Sequence, residues 1–314
     1  MAFLDWFRAP TTGQRGTQPL PEPAVLFDDD FQRRLETLAL VSRRVFAGRL
    51  RAERRSKKKG SGVEFADHRD YVPGDDFRFV DWNIYQRFGK LLVRLYEEEE
   101  DLSIYLIVDC SSSMGFGEGS KFDQARRICA ALAYVGLSNL DRVTVVGVGA
   151  EVTERLAPTR GKKRIFSVLR FLSGLRSQGN TDLGSALRTF VAQHKRRGLA
   201  ILIGDFYDPA GFANGINVLR YNKFETRVLQ LVDPREAKPI VRGDIRVRDC
   251  ETGEDLEVTV DDAFLERFGH LHQDYNSELE RFCARQQIPY FAADVRVPFD
   301  ETMLRVFRKG GFLR

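Results

Sequence analysis

Three short segments of the sequence carry the oxygen-bearing side chains that a hard metal cation requires. Asp109, Ser111 and Ser113 directly follow an apolar run, and Asp205 follows a second one. Thr181 stands just before a helical pattern that starts at residue 183. Mg²⁺ binds about six oxygen ligands in an octahedral array and accepts water among them. Two carboxylates and three hydroxyls would therefore suit Mg²⁺ or a similar cation if the fold brings them together.

Each of these segments also has an ordinary structural role. Asp109, followed by serines, is a good helix N-cap, because a side-chain oxygen there accepts from the free N–H groups of the first helical turn. Asp205 could cap a loop in the same way. The places of these residues in the predicted sheet nevertheless favour one common binding site, because ligands of an open parallel sheet bind beyond the carboxyl ends of its strands. Asp109 and Asp205 stand at the ends of two predicted strands.

Alternating strands and helices must position these residues. Continuous apolar runs are typical of strands buried on both faces, and they occur at 104–108, 143–148, 199–204 and 226–232. Helical periods lie at 121–138, 161–175, 183–197 and 209–221, followed by a hairpin at 244–260, a helix at 262–286, a strand at 290–295 and a terminal helix. This alternation predicts an α/β fold over 102–314, a doubly wound, mostly parallel sheet with helices on both faces.

Composition excludes several classes of protein. The 314 residues are 43% hydrophobic, with 49 Lys and Arg against 45 Asp and Glu, so the chain is neither disordered nor strongly basic. Its four scattered cysteines form no CxxC pair, which indicates free thiols in a reducing compartment. Apolar stretches are too short for a spanning helix, and the start of the chain lacks a signal-peptide pattern. We expect a cytoplasmic protein, with peripheral attachment to a membrane as the alternative.

The N-terminal third is predicted to form two regions of different character. Residues 1–27 combine aromatic residues with several prolines, which predicts a flexible arm. Residues 28–101 are predicted to form a smaller region with a helix and short strands, which begins with the helix, continues through a basic run at 43–59 and includes a strand candidate at 91–96. A solvated, mobile loop is the favoured interpretation of that run, and binding to nucleic acid or another anionic surface is the alternative. The acidic run at 97–101 is either a solvated connection or the counterpart of the basic run.

A dense polar motif precedes the α/β region. Val72-Pro73-Gly74-Asp75 has proline and glycine at the two central places of a type II turn. Charges of both signs lie within a few residues of aromatic ones, and we predict a buried or half-buried network of ion pairs that acts as a structural clamp. The motif consists of Arg69, Tyr71, Pro73, Gly74, Asp75, Asp76, Arg78, Asp81 and Trp82.

Both motifs resemble known families. The pattern Asp109-x-Ser111-x-Ser113, followed by Thr181 and Asp205, resembles the metal-ion-dependent adhesion site of von Willebrand factor A domains. The motif at 69–82 resembles the signature of the bacterial family called domain of unknown function 58, where it stands just upstream of a von Willebrand-like sheet. The resemblance covers about 40–300 of this sequence. Many members of that family begin with two membrane-spanning helices, and this sequence has none.

The resemblance implies a non-enzymatic binding module. In von Willebrand-like sites the serines and the threonine contact Mg²⁺ (or Mn²⁺ or Ca²⁺), the aspartates act directly or through water, and a carboxylate of a partner completes the shell. Members of the family are commonly encoded beside MoxR-type AAA+ ATPases. The expected role is therefore that of adaptor or co-chaperone of such an ATPase, with a client protein that offers an Asp or Glu.

Other functions are less well supported by the residues. A haloacid-dehalogenase-like phosphoryl hydrolase needs a second carboxylate two residues after the first, and Ser111 occupies that place. No histidine follows a predicted strand, where the base of a serine hydrolase would stand, and the sequence contains no P-loop. Nucleic-acid binding through 43–59 remains the main alternative.

Overall fold

The computed structural model describes residues 26–46, 55–60, 64–99, 102–115, 120–237 and 239–308. These residues divide into two compact units. Of the described residues, those within 43–101 form the smaller unit, and 26–42 together with those from 102 to 308 form the larger one. Residues 1–25 of the predicted arm and 47–54 of the basic run lie outside the described residues.

The first helix, α1 (Asp29–Phe46), packs mainly within the larger unit, whereas the sequence analysis grouped it with 28–101. The carboxylate of Asp28 accepts a hydrogen bond from the N–H of Phe31 at 2.7 Å and so caps the helix. The apolar face of the helix is buried, and the rings of Phe31 and Phe299 lie 4.5 Å apart. Periodicity predicted the helix, but this distant contact decides which unit it joins.

The smaller unit contains a three-stranded antiparallel sheet in the order β1-β3-β2, counted over the described residues. Its elements are β1 (Arg55–Gly60), β2 (Glu64–Asp70), α2 (Trp82–Phe88) and β3 (Leu92–Glu99). The loop that we favoured for the basic run at 43–59 is therefore wrong at both described ends, because 43–46 belong to α1 and 55–59 belong to β1. The backbone register places Arg55 opposite Glu99 and Lys59 opposite Glu97. The backbone of the acidic run is therefore paired with that of the basic run.

The larger unit is built on a central sheet of six strands within the described parts of the chain, in the order β11-β8-β7-β4-β5-β6. All neighbouring strands are parallel except β5 and β6. The strands are β4 (Ser103–Asp109), β5 (Arg142–Val148), β6 (Val152–Thr159), β7 (Leu199–Gly204), β8 (Glu225–Val232) and β11 (Tyr290–Asp294). This confirms the predicted α/β class and the mostly parallel sheet.

Helices cover both faces of this sheet. They are α3 (Lys121–Ser138), α4 (Ile165–Gly174), α5 (Leu183–Gln193), α6 (Phe212–Tyr221), the short α7 (Pro234–Ala237), α8 (Asp262–Arg285) and α9 (Phe299–Arg308). Successive side chains of a strand point to opposite faces. Tyr105 and Ile107 accordingly join one buried cluster with Phe190 of α5 and Ile216 of α6. On the other face α3 approaches so closely that a Cβ on Gly136 would lie 2.9 Å from Ile104.

Two peripheral elements complete the unit. The predicted hairpin is present as β9 (Gly243–Arg248) and β10 (Asp255–Val260), which pair only with each other within the described residues. The antiparallel edge strand β6 was not predicted, because its mostly exposed, charged sequence lacks the apolar run of a buried strand. An edge position also tolerates Pro158. In the parts of the chain that the structure describes, no helix combines the length and the apolarity needed to cross a membrane.

Candidate metal site at the carboxyl edge of the sheet

The loop after β4 concentrates buried oxygen atoms. Asp109 is the last residue of the strand, and one of its carboxylate oxygens, Oδ1, accepts from the N–H of Ser111 at 2.9 Å. A short 3₁₀ turn then brings the hydroxyls of Ser111 and Ser113 within 2.9 Å of each other. All three side chains are buried. The local chain direction therefore converts the spacing Asp-x-Ser-x-Ser into one compact oxygen cluster.

The second oxygen of Asp109, Oδ2, is buried and has no hydrogen-bond partner among the described residues. A buried polar atom without a hydrogen-bond partner destabilises the folded protein by about 1–3 kcal/mol. We therefore expect a cation or a hydrogen-bond donor to bind this oxygen. The atom lies over Gly204 at the end of β7, where an added Cβ would stand 3.0 Å away. Burial, with the nearby charge of Asp205 as a second cause, raises the pKa of Asp109 to about 7.

The loop that carries Thr181 is hydrogen-bonded to the loop after β4. The N–H of Gln178 donates to the carbonyl of Cys110 at 2.7 Å, and the N–H of Ser112 donates to that of Gly179 at 3.0 Å. The hydroxyl of Ser177 donates to the carbonyl of Ser111 at 2.6 Å. These bonds join segments that are more than sixty residues apart, and they bring the Thr181 loop to the serine cluster.

Thr181 contacts a carboxylate that the sequence analysis did not consider. Its N–H donates to Oε2 of Glu251 at 2.9 Å, and its hydroxyl donates to Oε1 at 2.8 Å. Glu251 stands in the turn between β9 and β10. Burial raises the pKa of Glu251, the bonds from Thr181 oppose that shift, and the charge of Asp205 adds to it.

Asp205 is fully buried and already has a cationic partner. Its Oδ2 lies 2.7 Å from the ammonium of Lys121, whose side chain is only 2% exposed. Lys121 also contacts Glu236 of α7 at 2.6 Å. Burial alone would lower the pKa of Lys121, but the charges of Asp205 and Glu236 outweigh it and raise the pKa. The ammonium is therefore a permanent positive charge beside the predicted site.

The residues fit a hard cation. Neighbouring ligands of an octahedral ion with bonds of about 2.1 Å lie about 3 Å apart, and the two serine hydroxyls have this spacing. No group of three or more His, Cys, Asp and Glu side chains within the described residues is arranged to hold a metal. A cation at this edge would need hydroxyl ligands, which the predicted set of Asp109, Ser111, Ser113, Thr181 and Asp205 offers. Asp205 differs from the other four because its carboxylate already forms an ion pair with Lys121.

The polar motif of the smaller unit has two ordered parts. Arg69 pairs with Asp75 through both terminal nitrogens, and the N–H of Asp75 donates to the carbonyl of Val72 at 3.0 Å. Gly74 has φ +107°, as the third residue of a type II turn requires. The rings of Tyr71 and Phe77 stack at 5.5 Å. The predicted turn is confirmed.

The other part of the motif is a helix cap. The carboxylate of Asp81 accepts from the N–H groups of Asn83 and Ile84, and its Oδ2 lies 2.8 Å from Arg94 and 3.1 Å from His68. The bond from Arg94, opposed by partial burial and aided by His68, holds the pKa of Asp81 far below its usual value. Two further ion-paired residues of the motif, Asp76 and Arg78, are exposed, and Trp82 is 54% exposed.

Comparison with known proteins assigns the family. The model of the family described as "Protein of unknown function DUF58" matches residues 67–278, from the polar motif into the long helix α8 of the larger unit. The chain belongs to the DUF58 family. Uncharacterized proteins of Mycobacterium bovis (Mb1516) and Mycobacterium tuberculosis (Rv1480) are each 27% identical to this DUF58 chain over 257 residues, which is 79% of this chain and 79% of theirs.

Two solved structures show more distant similarity to this DUF58 chain. The conserved hypothetical protein BatB from Bacteroides thetaiotaomicron has a TM-score of 0.40 at 13% identity, covering 67% of this chain and 100% of its own. An aerotolerance-related membrane protein from Bacteroides fragilis has a TM-score of 0.38 at 16% identity, covering 66% of this chain and 99% of its own.

Sequence reasoning missed three charged residues of this DUF58 site: Lys121, Glu236 and Glu251. Lys121 carried a signal, because it occupies a core-facing position in the helical period of α3, where a lysine needs a buried partner. Glu236 and Glu251 lie in short connecting segments, and nothing in their local sequence separates them from solvated carboxylates.

Proposed function

We propose that this DUF58 protein is a non-enzymatic module that binds other proteins through a divalent cation, with a von Willebrand factor A-like site. Asp109, Ser111, Ser113, Thr181 and Asp205 would hold the cation, which is Mg²⁺, with Mn²⁺ or Ca²⁺ as alternatives. The single observation that carries the proposal is the unpartnered, buried Oδ2 of Asp109 beside the paired serine hydroxyls.

Charge balance explains why such a site would bind a carboxylate. The bound cation supplies positive charge that neutral hydroxyl ligands leave uncompensated. Lys121 already offsets Asp205, so Asp109 is the principal negative charge left for the cation within the predicted set. An incoming Asp or Glu would supply the missing charge together with an oxygen ligand.

The same residues argue against hydrolysis. A phosphoryl hydrolase would need a second carboxylate near Asp109 that is free to transfer a proton. Ser111 occupies the relevant position, Asp205 is held by Lys121, and Glu251 is held by two hydrogen bonds from Thr181. The site is thus suited to holding a ligand rather than to proton transfer.

We further propose a MoxR-type AAA+ ATPase as the partner, with this protein as its adaptor or co-chaperone. The support is the resemblance of the two motifs to a family whose members are commonly encoded beside such ATPases. The client protein would offer the Asp or Glu that reaches the cation.

Calorimetric titration with Mg²⁺ and with Mn²⁺ tests the cation site. The double variant Ser111→Ala plus Ser113→Ala should lose at least tenfold in affinity, because it removes two neighbouring oxygen ligands. Ser112→Ala is the matched control, since it makes the same change between the two positions. Equal binding by the double variant and the wild type would disprove the predicted ligand set, and absence of binding by the wild type would disprove the proposed function.

A further inference from the structure

The hairpin between β9 and β10 places its own carboxylate on the predicted cation site. Glu251 spans the N–H and the hydroxyl of Thr181 with its two oxygens, at 2.9 Å and 2.8 Å. Neighbouring ligand atoms of an octahedral cation lie about 3 Å apart. If the Thr181 hydroxyl binds the cation, Oε1 of Glu251, 2.8 Å away, is therefore placed as a neighbouring ligand. A carboxylate in this position resembles, in its chemistry, the Asp or Glu expected from a partner.

The turn that carries Glu251 is ordered around a buried aspartate. The carboxylate of Asp249 accepts from the N–H groups of Glu251 at 2.7 Å and Thr252 at 2.8 Å. The N–H of Gly253 donates to the carbonyl of Asp249 at 3.1 Å, and Gly253 has φ +75°. Asp249 is itself buried. The position of Glu251 is therefore set by the turn and does not depend on Thr181 alone.

The local charges favour a cation between these groups. Asp109, Asp205 and Glu251 lie within electrostatic reach of one another. Lys121 neutralises Asp205, but it also pairs with a further carboxylate, Glu236. Glu251, held on Thr181, adds negative charge within electrostatic reach of Asp109. A divalent cation would compensate the charges of both Asp109 and Glu251.

We propose that Glu251 is a ligand that the chain itself supplies to this cation, so that the hairpin closes the site against carboxylates of other proteins. This inference rests on the proposed function, because it requires the cation site. It adds that a partner must displace the hairpin before its own Asp or Glu can bind.

The hairpin is suited to such displacement. Its two strands pair only with each other in the described chain, and an isolated two-stranded hairpin is marginally stable. Val247 and Val260 are its buried apolar residues, while its ion pairs Arg246–Glu257 and Arg248–Asp255 face solvent. Releasing it would expose little apolar surface.

The variants Glu251→Ala and Glu254→Ala provide a matched test on one turn. Both remove one carboxylate, and Glu254 is exposed. We expect Glu251→Ala to weaken Mn²⁺ binding about tenfold, measured from the free-ion signal in electron paramagnetic resonance, and Glu254→Ala to bind as the wild type does. Mn²⁺ should also slow amide hydrogen exchange of residues 243–260 in the wild type and in Glu254→Ala, but not in Glu251→Ala.

The outcomes separate this inference from the proposed function. Unchanged Mn²⁺ affinity in Glu251→Ala, with the wild type binding normally, overturns the intramolecular ligand and leaves the cation site intact. Failure of the wild type to bind Mn²⁺ overturns both. Glu251→Gln retains an oxygen that can accept from Thr181 but lacks the charge, so its weaker Mn²⁺ binding in a protein with native circular dichroism distinguishes a lost ligand from a lost fold.

Discussion

At the scale of single residues, buried charges determine what the site can hold. The ammonium of Lys121 and the carboxylate of Asp205 are both removed from water, and each depends on the other for compensation. One oxygen of the Asp109 carboxylate, by contrast, has no hydrogen-bond partner in the part of the chain that the structure describes. The two aspartates of the predicted metal set are therefore not equivalent, although their positions after parallel strands are alike.

Replacing the buried lysine should be costly. Lys121→Met leaves Asp205 buried and unpaired, and breaking a buried ion pair in this way costs about 3–5 kcal/mol of unfolding free energy. Urea unfolding followed by far-UV circular dichroism measures the loss, and Lys195→Met, at an exposed position, is the control. Saturating Mg²⁺ should restore part of the lost stability if it can compensate Asp205. A variant as stable as the wild type would show that the pair contributes nothing.

The close approach of β4 and β7 depends on one glycine. A Cβ at residue 204 would lie 2.7 Å from Cβ of Asp109, so Gly204→Ala must displace the carboxylate or the strand. We expect a loss of about 1–3 kcal/mol in unfolding free energy, as overpacking usually produces, together with weaker Mn²⁺ binding. At Gly174 an added Cβ meets nothing within 4 Å, so Gly174→Ala is the control. Normal Mn²⁺ binding by Gly204→Ala would contradict this account of Asp109.

At the scale of elements, caps and turns position the polar motifs. In the smaller unit, the Asp81 carboxylate caps α2 and also joins it to β3 through Arg94. The Arg69–Asp75 pair supports the preceding turn. In the larger unit, the carboxylate of Asp249 likewise accepts hydrogen bonds from two backbone N–H groups and so stabilises the hairpin turn. Each carboxylate satisfies backbone N–H groups that no strand or helix partner can reach.

Acid should therefore weaken the smaller unit through Asp81. Because Arg94 holds the pKa of Asp81 below its unfolded value near 3.8, the unfolded state binds the proton first, and stability falls as the pH drops below about 4. Trp82 adjoins Asp81 and reports on this region by fluorescence once the other tryptophan is changed by Trp6→Phe.

The variant Asp81→Asn separates this contribution from general acid unfolding. It should be less stable at neutral pH, and its stability should depend less on pH below about 4. Asp70→Asn removes an exposed carboxylate from the end of β2 and is the control. An identical acid response of the wild type and Asp81→Asn would refute the assignment.

At the scale of the whole molecule, the charges are nearly balanced. The chain has a net charge of +4, and the acidic end of β3 runs in register with the basic residues of β1. Neither the net charge nor this register decides between the proposed cation-bridged protein contact and the alternative of nucleic-acid binding, and an experiment must separate them.

Chelator and salt distinguish these two functions. A complex with the MoxR-type ATPase of the same bacterium should be lost with EDTA and in Asp109→Ala, yet survive salt of about 0.3 M, where attractions between exposed charges are largely screened. Nucleic-acid binding would behave oppositely, since it weakens steeply with salt and needs no cation. Size-exclusion chromatography of the mixtures measures both. A complex that is resistant to EDTA but dissolved by salt would reject the cation-bridged contact.

The sequence alone predicted the elements whose signals are local. The α3 boundaries agree with the helical period at 121–138, and the buried strands β4, β5, β7 and β8 coincide with continuous apolar runs. The hairpin and the type II turn followed from glycine and proline at fixed places. Such signals suffice because hydrophobic period and turn chemistry act between residues close in the chain. The edge strand β6 has neither signal, and it forms because β5 offers it a free edge.

Tertiary structure decided the environment of the candidate site. The alternation of strands and helices predicts a parallel sheet. It therefore predicted that two carboxylates and three hydroxyls lie at strand ends and helix starts. It could not show that Lys121 neutralises Asp205 across 84 positions of the chain, or that Glu251 reaches Thr181 across 70. Those contacts depend on how α3 and the hairpin pack against the sheet. Burial makes the interaction energy of these charges large, because the same charges in water would interact weakly.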